Sequence, residues 1–119
     1  MSHFSKDDGT TKEMLSLRFS GITRQVLLPQ IDEILLFRKY KRLDGEAGNG
    51  VYERGDRTRR ILFGAFVKYF KFKVMVDTLS DGEVGVRVLR ATSGFSGGVI
   101  GVNQVTEEMI QISNALKTL

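Results

Sequence analysis

The chain has 119 residues, 41% of them hydrophobic and 27% charged, with a formal net charge of +4 and no cysteine. That length suits one domain able to bury its own core, and the lack of cysteine excludes disulfide staples and thiolate metal sites. The longest apolar run, residues 61–67, spans seven residues with Gly64 counted, far short of the roughly 20 that a membrane helix needs.

Residues 1–11 are mostly polar and carry Asp7-Asp8-Gly9. They read as a disordered tail and lack the apolar stretch of an export signal, so a cytoplasmic location is expected. Residues 12–119 are expected to form a single α+β domain. Between Thr11 and Ser20 the apolar Met14, Leu15, Leu17 and Phe19 are interleaved with Ser16, Arg18 and Ser20. That mixed alternation predicts a short strand.

Pro29 follows Val26-Leu27-Leu28 and suits the first turn of a new helix. Beyond it, Ile31, Ile34 and Leu35 fall at helical spacing. Asp32 and Glu33 lie near the start, and Arg38, Lys39, Lys41 and Arg42 near the end, as the helix dipole prefers. The spacing predicts a helix near 30–42, with a strand at 33–40 as the alternative. Residues 44–50 contain three glycines and read as a loop. Val51–Arg54 reads as a brief strand, and 58–67 is open between helix and extended chain.

The hairpin 69–78/83–91 is the best-defined unit. Phe70, Phe72, Val74 and Val76 hold the even positions, with Lys71, Lys73, Met75 and Asp77 at the odd ones, and Val84, Val86 and Val88 again hold even positions. A two-residue Asp81-Gly82 loop would set Val76 opposite Arg87 and put the two apolar rows on different faces. A three-residue loop, Ser80-Asp81-Gly82, sets Val76 opposite Val86 and Val74 opposite Val88. It also gives Gly82 the position that needs a left-handed backbone. The three-residue loop is therefore predicted.

Val102, Val105, Met109, Ile112, Leu116 and Leu119 are spaced 3, 4, 3, 4 and 3 apart. This one-sided stripe predicts an amphipathic C-terminal helix over 103–118, capped by Asn103 or Thr106 and packed on the hairpin. At about two and a half heptads it is short for a coiled coil. Packing on its own sheet is the primary expectation, and self-association through this helix the secondary one.

Catalytic patterns are thin. Gly94-Phe95-Ser96-Gly97-Gly98 matches G-x-S-x-G, but the single histidine, His3, lies upstream, and the chain is too short for that hydrolase fold. No lysine or arginine lies between Thr92 and Thr106 to support phosphate binding at the glycines. No catalytic residue, metal site or cofactor is assigned.

Charge distribution is more informative. Residues 38–90 hold thirteen Lys and Arg against seven Asp and Glu. The hairpin register puts Tyr69, Lys71, Lys73 and Arg87 on the face opposite the valines. With Arg57, Arg59 and Arg60 they form a candidate site for an anionic partner, either nucleic acid or an acidic surface. The expected function is a non-enzymatic binding or interaction module. The alternative is a carrier of a small hydrophobic ligand. Its cavity would lie between sheet and C-terminal helix, lined by Phe63, Phe66, Phe70, Phe72 and Met109.

Overall fold

The computed structural model describes residues 3–11, 13–55, 69–91 and 98–119; the side chains of Tyr69 and of residues 98–105 fall outside that description. The elements are β1 (Phe4–Thr10), β2 (Met14–Phe19), α1 (Arg24–Phe37), β3 (Lys41–Glu46), β4 (Asn49–Gly55), β5 (Tyr69–Thr78), β6 (Val84–Arg90) and α2 (Gly98–Leu116). The strands make one antiparallel sheet in the order β1-β2-β6-β5-β4-β3. This is a small α+β fold, with the hairpin and the C-terminal helix that the periodicity indicated.

The β5–β6 register is the one the apolar pattern demanded. Val76 pairs with Val86 and Val74 with Val88. Leu79 N–H donates to Glu83 O at 2.7 Å, and Gly82, at φ 88°, donates its N–H to Leu79 O at 3.0 Å. On the other side of β6, Leu15, Leu17 and Phe19 pair with Val88, Val86 and Val84. The two helices cover this continuous apolar face. Leu27, Leu28, Ile31 and Leu35 of α1 and Met109, Ile112 and Leu116 of α2 join the same core cluster. Each such side chain contributes about 1.5–3 kcal/mol through burial.

Several boundaries differ from the sequence reading. Residues 4–10, expected in a disordered tail, form β1. It pairs with β2 through two register shifts, and Leu119 O accepts the N–H groups of His3 and Phe4 at 2.6 and 3.1 Å. Its polar sequence suits an edge strand, where little is buried. Helix α1 starts at Arg24, not near 30, because Thr23 caps it: Val26 N–H donates to Thr23 Oγ1 at 3.3 Å. Pro29 therefore lies inside the helix. The helix stops at Phe37, and Lys39, at φ 75°, turns the chain left-handed. Lys41 and Arg42 then belong to β3 and are no helix-end cations.

The stretch 44–50 is mostly strand. Asp44 pairs with Val51, Gly45 with Gly50 and Glu46 with Asn49, which leaves only Ala47 and Gly48 in the turn. Gly48 rests on α1, and a Cβ there would come within 2.2 Å of Leu28 O. Helix α2 begins at Gly98, so Asn103 and Thr106 are interior positions and not its N-terminus. Residues 58–67 and the Gly94–Gly97 part of the glycine stretch lie outside the described residues.

Candidate binding face on the open side of the sheet

Successive strand residues point to opposite faces, so the strands that bury the valines also present a second row. Met14, Leu89, Lys73, Val51 and Asp44 line up across five strands. Ser16, Arg87 and Met75 form the next row, with Arg18, Gly85 and Asp77 beyond it. Lys71, Glu53 and Lys41 make the row on the other side. Both helices pack on the valine side. Among the described residues this second face stays accessible: Lys73 and Arg87 are exposed, and Met75, Leu89 and Val51 partly so.

The cations on this face differ in how far they are neutralised. Arg18 Nε donates to Asp8 Oδ2 at 2.7 Å, and that hydrogen bond raises the guanidinium pKa. Arg87 reaches Asp77 at 3.3 Å, but both side chains are about half exposed, where a pair is worth little. Lys71 and Lys73 have no ion pair among the described residues. Lys73 also borders a cleft of about 370 Å³ shared with Arg24, Asn49, Met75 and Asp77. There Asn49 Oδ1 accepts Val76 N–H at 2.7 Å, and Arg24 Nε donates to Val76 O at 2.8 Å. Two side chains thus satisfy the end of β5 where β4 stops short.

Of the predicted anion-binding residues, Lys71, Lys73 and Arg87 come together on this face. Tyr69 opens β5 opposite Gly55, and its side chain lies outside the description. Arg57, Arg59 and Arg60 lie outside it as well, as do Phe63 and Phe66 of the predicted ligand cavity. Phe70, Phe72 and Met109, the other cavity residues, belong to the core cluster. The Phe70 and Phe72 rings stack at 6.3 Å.

Two polar clusters on the helix side escaped the sequence reading. Glu108 of α2 is buried. Its Oε1 accepts Arg38 Nη2 at 3.0 Å, and its Oε2 accepts Tyr40 Oη–H at 2.6 Å and Arg54 Nη1 at 3.2 Å. Burial, then the bond to Glu108, pushes the Tyr40 hydroxyl pKa well up. The second cluster centres on Tyr52, which donates to Asp32 and accepts Gly48 N–H at 2.8 Å. Burial, then the bond to Asp32, pushes its pKa up to about 12. The sequence does hold a signal for Glu108. It lies three residues after Val105 and four before Ile112, on the buried stripe, although its charge alone points only to the early turns of a helix. No such spacing marks Tyr52 and Asp32, which meet only through tertiary structure.

Among the described residues no three His, Asp or Glu side chains gather as a metal site requires, and no helix is long and apolar enough to cross a membrane. Comparison with protein-family models, with curated proteins and with solved structures found no match.

Proposed function

We propose that this chain is a non-enzymatic binding module that docks single-stranded nucleic acid on the open face of its sheet. The observation that carries the reading is the pair Lys71 and Lys73, which have no ion pair among the described residues and stand beside Arg87 and the apolar Met75 and Leu89. Cations supply phosphate contact, and Met75 and Leu89 offer unstacked bases an apolar surface to pack on. The charge surplus of residues 38–90 supports the same partner.

The test is fluorescence anisotropy with a labelled single-stranded oligonucleotide across a salt series. Removal of one phosphate-binding cation should flatten the log–log salt slope by about 0.7. Lys71→Glu combined with Lys73→Glu should abolish binding at low salt while the far-ultraviolet circular dichroism stays unchanged. Equal retention of wild type and double variant would refute the reading. Retention on anionic vesicles without oligonucleotide binding would assign the face to an acidic surface instead.

A further inference from the structure

Helix α1 has two apolar sides, and the core uses only one. Arg24, Asp32 and Glu33 are its only charged residues. Leu27, Leu28, Ile31 and Leu35 face the core. The opposite side carries Val26 and Leu36, each 51% exposed, Phe37 at 85%, and the exposed Pro29. Gln25 and Glu33 are the only exposed polar side chains of the helix. A helix that is apolar all round is normally buried all round. The described outer positions of α2 are unlike this, since Ile110 stands there among Glu107, Gln111 and Asn114.

The surface beside this stripe is concave. One groove of about 530 Å³ lies between the helices, against Ile34 and Phe37 of α1, the following Arg38, and Ala115 and Leu119. A second depression of about 440 Å³ adjoins Ile22, Thr23 and Val26. Gln30 lines both, so the two depressions flank the middle of the helix. At 1.5 Å per residue, Val26 to Phe37 covers about 16 Å, or three turns.

We propose that this stripe is the interface of a homodimer in which α1 packs antiparallel on α1 of a second copy. The stripe is self-complementary about a two-fold axis between Gln30 and Glu33, as an isologous contact requires. That axis sets Val26 of one copy against Phe37 of the other. The projecting Phe37 ring then seats in the depression beside Ile22 and Val26. At the centre, the Gln30 amide donates to the Glu33 carboxylate of the second copy. The antiparallel arrangement also opposes the two helix dipoles, whereas a parallel one would align them. This inference is independent of the nucleic-acid reading, which concerns the other side of the sheet.

The experiment is sedimentation velocity without nucleic acid from ~1 to ~100 µM, the range of weak to moderate complexes. Wild type should move from a 13.4 kDa species to twice that mass as concentration rises. Phe37→Asp should remain monomeric at every concentration with an unchanged circular dichroism spectrum. A wild type that stays monomeric at the top concentration, or a Phe37→Asp variant that dimerises like wild type, overturns the proposal. The lack of cysteine permits a second readout by site-specific cross-linking. Glu33→Cys should give a covalent dimer with a short bis-maleimide, and Lys73→Cys on the open sheet face should not. The reverse pattern would move the interface to the sheet and overturn the α1 assignment.

Discussion

On the helix side of the sheet, Val74, Val86, Val88, Leu15 and Leu17 are at most 1% exposed, and the polar Tyr52 is bonded to Asp32 and Gly48. One residue along the same strands, Lys73, Arg87 and Met14 stand in solvent. Backbone and pairing are shared, so the difference comes from what packs above each face. A covered face excludes water and demands apolar or fully bonded groups. A face left accessible among the described residues tolerates separated cations and partly exposed methionine.

Substitutions measure how deep this contrast runs. Phe72→Ala on the covered face should lower unfolding stability by about 3–5 kcal/mol in urea titrations, because it opens a void against Tyr40 and Phe70. Glu108→Leu leaves Arg38 and Arg54 without their shared carboxylate. Both guanidiniums keep partial access to water, so a loss on the order of 2–3 kcal/mol is expected by the same titration. Tyr52→Phe strands the Gly48 N–H and should cost about 1–3 kcal/mol in thermal melts. Lys73→Ala on the open face should stay within about 0.5 kcal/mol of wild type, yet weaken oligonucleotide binding. A large stability loss at Lys73 would mean that the two faces are less different than the geometry indicates.

Acidity gives finer tests. Tyr52 has its pKa raised on folding, so it contributes stability fully below its ordinary pKa of 10.0 and loses it as pH rises toward about 12. Alkaline melts should show that loss, and Tyr52→Phe should reduce it. Asp7 is shifted the other way, first by its hydrogen bond from Lys117 and then by Gly9 N–H. It contributes stability above its ordinary 3.8 and loses it as pH falls through the lowered value. Acid melts of Asp7→Asn should show a small flattening of that slope, since both partners are partly exposed.

Legibility in the sequence follows the range of the interaction. Val74, Val76, Val86 and Val88 and the loop Ser80-Asp81-Gly82 lie within a few residues of their partners, so alternation alone selects the register. The spacing of Met109, Ile112 and Leu116 likewise marks the buried side of α2. Lys71, Lys73 and Arg87 can be placed together for the same reason, since period 2 and one register determine the face. The start of α1 is misread from Pro29, because the Thr23 hydroxyl that caps the helix lies six residues earlier. Residues 4–10 look like a tail because β1 buries little, and what holds it is β2 and Leu119 O.

By itself, then, the amino-acid order determined periodic features: the hairpin, the core stripe of α2 and the cationic parity of β5. Only the tertiary structure decided that Glu108 would close on Arg38, Tyr40 and Arg54, some 54 to 70 positions away. It also decided that α1 would bury one apolar side and leave the other outward. Periodicity encodes which residues share a side of an element. What that side meets depends on chain segments distant in sequence, and local pattern carries no information about them.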